Sequence, residues 1–439
     1  MLTVDQAVQA ILEHVVPGST VRLALNDAWL LRLAESITAP HDSPPFDKSL
    51  MDGFAVCSRA ATQPNQTGSS LMSPEIVASD EPVSQQHQPS IELQVLETVT
   101  AGQIPGQTVS SGAAVRIMTG ALLPAGADCV VPIENTEFDE AQPQTVRICS
   151  SEFKAESCIM RAGTAARAGS RLMEAGQILV APRIAALAEF GISHVQVYRR
   201  PSVAVLATGD ELLTADQPLT PGRIRNSNEP MLIAQLKQAN AVPVPLGVAR
   251  DQPEQLAAAI HRGLQHDFLL LTGGVSAGTL DLVPGRLAAA GVQTVFHGIS
   301  MKPGKPLWFG VFQRDGHRCV VFGLPGNPVS SLACFELFVA SAIRRFLGSP
   351  NPHPQPVFGA LTQAISVRGN RPVYQPVHAS FSSQGLQVTP VPWNGSSDLR
   401  ATIDANAMAL LRPETGLYSA GQQVATYFWS GMIPLHSDD

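Results

Sequence analysis

Three short apolar runs, each stopping at glycine and small polar residues, constrain this chain more than any other feature. The first goes from Ser202 to Glu211 (SVAVLATGDE), the second from Asp267 to Gly278 (DFLLLTGGVSAG), and the third from Arg318 to Ser330 (RCVVFGLPGNPVS). A near-continuous run of Val, Leu and Phe suits a strand covered on both faces by other elements of a parallel sheet. Each run is followed by a segment that can form a helix. The pattern predicts an α/β domain with a doubly wound, mostly parallel sheet, whose ligand lies at the carboxyl ends of the strands.

The rest of the chain divides around that domain. Thr3 and Gln6 form a capping box for an opening helix whose apolar face is Val4, Ala7, Val8, Ile11, Leu12 and Val15. A second apolar-periodic stretch occupies 28–34. Residues 49–150 read as β-rich, with a Gln/Ser/Pro-rich surface insertion at 61–90. A helix is predicted near 182–190. Within the α/β domain, Asn228 is a candidate cap for a helix at 231–239, and Asp251 for a helix opening on Pro253 and Glu254. A hairpin-like pair is expected around 302–312, then a strand at 319–322 and a long helix ending near Leu347. The proline-rich 349–356 segment is a stiff linker to a small β domain over 357–432. The full division is 1–20 with 177–352 (α/β), 21–48 with 151–176 (linking), 49–150 (β-rich) and 353–439 (C-terminal, barrel-like).

A net charge of −7 argues against broad nucleic-acid binding, so an anionic ligand requires a local cluster of cations and amides. The six cysteines are scattered without a C-x-x-C pair, which points to reduced thiols rather than disulfides or zinc, and thus to the cytoplasm. No apolar run is long enough to span a bilayer. His261 and His297 have no metal-ligand spacing, and no Ser/His/Asp arrangement is present.

The glycine loops at 272–278 and 323–330 let backbone approach a phosphate beside a helix N-terminus. Asp210, Glu211, Asp251 and Asp281 lie at or beyond strand ends, where carboxylates suit Mg²⁺ with phosphate oxygens and water. Helix capping is the competing role for Asp251. Lys302 and Lys305, on a proline-stiffened MKPGKP segment, suit an anion clamp.

Taken in order, several motifs resemble the molybdopterin molybdenumtransferase family, to which the C-terminal domain of gephyrin is also related. They are PFDKSLMDGFA (45–55), RIMTGA (116–121) with PAGAD (124–128), TGDEL (208–212), NSN (226–228), TGGVSAG (272–278) with Asp281, KPGKP (302–306) and LPGNPVS (324–330). The resemblance implies insertion of molybdate into adenylylated molybdopterin with release of AMP, Mg²⁺ as cofactor, and a cytoplasmic homodimer with the active site between subunits. Asp52 and Thr119 would line the cleft from the β-rich domain. Glu211, Asp251 and Asp281 would hold the metal or the substrate phosphates. Gly273, Gly274 and Ser276 would bind the pterin nucleotide, and Thr208, Gly209, Asp210 and Gly278 would be further substrate-binding residues. Lys302, Lys305, Ser330 and Arg371 would hold molybdate or the terminal phosphate, approached by Ser396 or Ser397. Other proteins of the cofactor pathway are implied partners. Three departures from the family pattern are Thr164-Ala165, Gly298 and Pro376, where an acid and two bases are common. They raise an alternative: a cofactor-binding carrier without turnover, or a scaffold.

Overall fold

The computed structural model describes residues 1–59, 90–250, 252–274 and 282–431. Most of the expected 61–90 insertion therefore lies outside the described residues, although Ser90 itself starts a strand. The chain forms two compact units: residues 1–35, 175–188 and 192–439 in the first, and 36–174 with 189–191 in the second.

The first unit is built on a six-stranded sheet. Its spatial order is Val242–Ala249, Ser202–Thr208, Phe268–Thr272, His317–Leu324, Trp308–Arg314, Gln293–His297. The first four strands run parallel, and Trp308–Arg314 alone runs the other way, pairing antiparallel with both of its neighbours. The runs at 202, 267 and 318 are thus three adjacent central strands. Residues 203–207 and 268–271 have essentially no exposed surface, and each large apolar side chain so buried contributes roughly 1.5–3 kcal/mol. Alternation assigns the faces. Ala204, Leu206, Leu269, Leu271 and Val321 share a core with Leu256 and Ile260 of the Pro253–Gly263 helix and with Val283 and Leu287 of Leu282–Ala289. Out-of-phase residues meet other helices: Phe268 packs on Phe346, and Phe309 on His14 of the Val4–His14 helix. Register aligns Ala207 with Thr272 and Thr272 with Leu324, so three strands end level.

The opening helix has both hydrogen bonds of its capping box, Thr3 Oγ1 accepting from Gln6 N and Gln6 Oε1 accepting from Thr3 N. Residues 28–34 are not helical. They run through bridges at Arg32 and Leu33 to Ile178 and Val197, so their apolar spacing buries an irregular segment. The hairpin is displaced from the expected 302–312: it joins Trp308–Arg314 to His317–Leu324 through Asp315 and Gly316, both at positive φ (49° and 80°). Pro303 and Pro306 lack the N–H that a ladder needs, which leaves 302–306 outside the sheet. The long C-terminal helix is Pro328–Cys334 continued by a π turn, Phe335–Val339, and by Ala340–Phe346.

In the same unit, Val357–Leu361, Gly385–Pro390, Val373–Ser382, Ala407–Leu411 and Gln423–Phe428 close into a barrel. Its end is tied to the helices by Glu336. That buried carboxylate accepts from Gln235 Nε2 (2.8 Å), Ser430 N (3.0 Å) and Ser430 Oγ (2.8 Å). Burial raises its pKa above the usual carboxylate range, against the pull of those donors.

The second unit has its own six-stranded sheet, ordered Cys129–Pro132, Gly53–Val56, Ala113–Ile117, Ser90–Val99, Thr145–Cys149, Thr136–Phe138. Phe54, Ala114, Val131 and Ile148 make one of its cores.

Candidate active site

The level strand ends of the first unit open into a cavity of about 870 Å³. Thr208 and Thr272 stand at its floor, both buried. Gly273 follows at φ +91°, and a Cβ there would sit 2.5 Å from the Thr208 carbonyl oxygen. Only glycine lets the loop turn that close to the neighbouring strand. Glu211, Lys302, Lys305 and Ser330 also line the cavity. The barrel contributes Arg371, Ser396 and Ser397.

Hydrogen bonds fix the lysine segment from the barrel side. Lys302 N donates to Pro372 O (2.9 Å), Tyr374 N donates to Lys302 O (2.8 Å), and Arg371 Nη1 donates to Met301 O (3.1 Å). The Lys302 ammonium lies 6.0 Å from the centroid of the Trp393 ring. A short, proline-stiffened segment bonded along its backbone holds its cations at a set position, which suits recognition of a fixed polyoxyanion. Arg225 adds a further cation to the lining.

Of the residues singled out in the sequence, the cavity brings together Thr208, Glu211, Gly273, Lys302, Lys305, Ser330, Arg371, Ser396 and Ser397. Gly209, Asp210 and Gly274 flank it in the chain. Asp251, Ser276, Gly278 and Asp281 lie outside the described residues. The residue before the Pro253–Gly263 helix is Gln252, which makes no side-chain cap bond; the expected cap at Asp251 lies outside the described residues. Asp52 and Thr119 belong to the second unit, where they meet: Asp52 Oδ1 accepts from Thr119 Oγ1 (2.6 Å) and Thr119 N (2.7 Å). The Thr119 hydroxyl first, then its amide, hold the exposed Asp52 carboxyl below its usual pKa.

Asn226, Asn228 and Asn327 also line the cavity, and sequence reasoning gave them no site role. Asn228 does not cap its helix, which begins at Asn228 itself. Its buried Nδ2 donates to Thr272 Oγ1 (2.6 Å) and Gly326 O (2.8 Å), tying two glycine loops together. Its Oδ1 has no donor among the described residues. The available signal was an asparagine beside a strand end with two unsatisfied loops nearby.

Among the described residues no three His, Cys, Asp or Glu side chains stand together. Glu211 is the one carboxylate among the cavity-lining residues, a donor set too small to hold Mg²⁺ unaided. The departures sit in ordinary structural places. Pro376 pairs with Met408 inside the barrel ladder, and Gly298 is at φ +87°, its N–H donating to Leu307 O (2.8 Å). Ala165 N donates to Ser43 O (2.9 Å) in the second unit.

A doubly wound sheet whose strand ends open on a cavity with Arg225, Lys302, Lys305 and Arg371 in its lining is suited to phosphorylated or oxyanionic ligands. Family models match in three consecutive blocks: the MoeA N-terminal region (domain I and II) over 2–191, a probable molybdopterin binding domain over 204–345, and the MoeA C-terminal region (domain IV) over 359–429. The chain is 34% identical over 426 residues to the molybdopterin molybdenumtransferase of Bacillus subtilis, covering 96% of this chain and 93% of that one. It is 32% identical over 427 residues to the molybdopterin molybdenumtransferase of Staphylococcus aureus Mu50, covering 96% of this chain and 94% of that one. A molybdopterin biosynthesis protein from Pyrococcus horikoshii superposes with a TM-score of 0.77 at 26% identity, over 98% of this chain and 100% of that chain. The chain belongs to the molybdopterin molybdenumtransferase family, transferases of molybdenum cofactor biosynthesis. No described helix is long and apolar enough to cross a membrane.

Proposed function

We propose that this protein inserts molybdate into adenylylated molybdopterin, giving the molybdenum cofactor and AMP. The observation that carries the reading is that one cavity is lined by strand-end residues Thr208 and Gly273 together with Lys302, Lys305, Arg371, Ser330, Ser396 and Ser397. A tetrahedral dianion is matched by ammonium, guanidinium and hydroxyl donors, and a pyrophosphate by glycine-loop amides at strand ends. In this reading Gly273, Gly274 and Ser276 bind the pterin nucleotide, and Thr208, Gly209, Asp210 and Gly278 are further substrate-binding residues. Lys302, Lys305 and Ser330, with Arg371 and the two barrel serines, hold molybdate or the terminal phosphate and neutralise charge as the anhydride breaks.

Glu211, Asp251 and Asp281 are assigned to a Mg²⁺ ion or to the substrate phosphates. When bound, the ion would supply charge neutralisation at the phosphoanhydride. The reading includes a cytoplasmic homodimer of four-domain subunits, with Asp52 and Thr119 lining the cleft, and contact with other proteins of the cofactor pathway. The test is AMP release from adenylylated molybdopterin with and without molybdate and Mg²⁺. Molybdate-dependent release is expected. Binding of the nucleotide without release would replace the transferase by a carrier.

A further inference from the structure

The two barrel serines in the cavity stand in different surroundings. Ser396 Oγ accepts a hydrogen bond from Asn327 Nδ2 at 2.9 Å, and Ser396 O accepts from Val329 N at 3.1 Å. Asn327 occupies the residue before the Pro328–Cys334 helix, in extended conformation. An asparagine there ordinarily bonds back to the first turn, yet this side chain makes no cap bond. It reaches instead to the barrel loop. Both residues line the cavity with Lys302, Lys305, Ser330 and Arg371.

A serine hydroxyl has one hydrogen and two acceptor sites. When an amide N–H fills an acceptor site, the hydrogen turns elsewhere, and on the partly buried Ser396 it can meet a ligand in the cavity. An amide donor also polarises the O–H, strengthening the bond it can give to an anion. We infer that Asn327 is a positioning residue that turns the Ser396 hydroxyl hydrogen toward the oxyanion in the cavity. The inference rests on the molybdate reading of that cavity, and it sorts the serine pair: Ser396 is the oriented donor.

The sense of the Asn327–Ser396 bond is what distinguishes orientation from a mere staple between loops. In N327D the carboxylate must accept, so it captures the serine hydrogen while the two loops stay linked. The experiment measures the dissociation constant of molybdate alone, by calorimetry on the full chain, for wild type, N327A, N327D, S396A and the two double variants. Thermal melting confirms that each is folded. N327D is expected to weaken molybdate binding at least about tenfold with Ser396 present, and markedly less in the S396A background, where only the added charge acts. N327A, which adds no charge, is expected to lose several-fold with Ser396 and nothing in the S396A background. Equal losses in both backgrounds, an N327D that binds as well as wild type, or a wild type that does not bind molybdate would overturn the inference. AMP release by the same wild-type sample separates the two readings. Molybdate binding with the expected pattern but no release would reject the transferase and leave the orientation role standing.

Discussion

Asn228 is a place where the exchange of one side-chain nitrogen for oxygen should be strongly felt. Its amide donates to Thr272 Oγ1 and Gly326 O, joining the end of one central strand to the loop that follows another. The loops it joins approach so closely that a Cβ on Gly326 would lie 3.6 Å from the Gly273 Cα. Asn228→Ala removes two hydrogen bonds of about 1 kcal/mol each and strands a carbonyl, at roughly 1–3 kcal/mol. It also removes Oδ1, which has no donor among the described residues, and that returns part of the loss. The net expectation is about 2–3 kcal/mol of stability, read as a lowered urea midpoint. Asn228→Asp is the sharper probe because it preserves shape while replacing both donors by acceptors facing Gly326 O. It should be less stable than the alanine variant at neutral pH and recover as the pH falls and the carboxyl protonates. Because a 1 Å displacement of a binding loop can cost on the order of a hundredfold in rate, AMP release should drop by about one to two orders of magnitude in both. An N228D protein with wild-type midpoint and turnover would refute the reasoning.

Three further outcomes follow from the same geometry. Gly273→Ala should cost about 3 kcal/mol, since φ is +91° and the new Cβ would lie 2.5 Å from the Thr208 carbonyl oxygen; an unchanged melting temperature would contradict that approach. Asp267 is mostly buried; burial alone would raise its carboxyl, but the Arg199 fork (2.6 and 2.7 Å) and the Ser202 N–H and hydroxyl outweigh burial and leave it lowered. A lowered carboxyl stabilises the fold above its unfolded pKa, and that contribution is lost as the pH falls through the folded value. Asp267→Asn should therefore lower stability near neutrality and flatten its acid limb, and a parallel pH–stability curve would contradict this. Thr119→Val keeps the amide donor to Asp52 but deletes the hydroxyl, so the Asp52 carboxyl should move up toward its usual range in a carbon-detected NMR titration, whereas a fixed value would exclude the hydroxyl as the main cause.

The central strands were legible because continuous burial on two faces leaves no room for polar alternation: Val203 to Ala207 and Phe268 to Leu271 could be little else. The glycine turns and the lysine segment were legible because their residue types are demanded by close approach and by charge. What sequence misplaced was set by contacts distant in the chain. The hairpin lies beyond the expected 302–312 because the positive-φ turn at Asp315-Gly316 decides its position. Asn228 was expected to cap a helix because that is the commonest local use of asparagine, and its partners Thr272 and Gly326 lie 44 and 98 residues away. The Asn327 side chain was likewise diverted from its own helix by Ser396, 69 residues on.

The Glu336 knot has a bearing on how this chain should be handled. Ser430 supplies two of the three hydrogen-bond donors to the buried Glu336 carboxylate, and Gln235 supplies the third from the helix that starts at Asn228. Trimming back past residue 430, or attaching a bulky tag that drags that serine away, would leave a buried acid without two of its donors at one end of a helix whose other end lines the strand-end cavity.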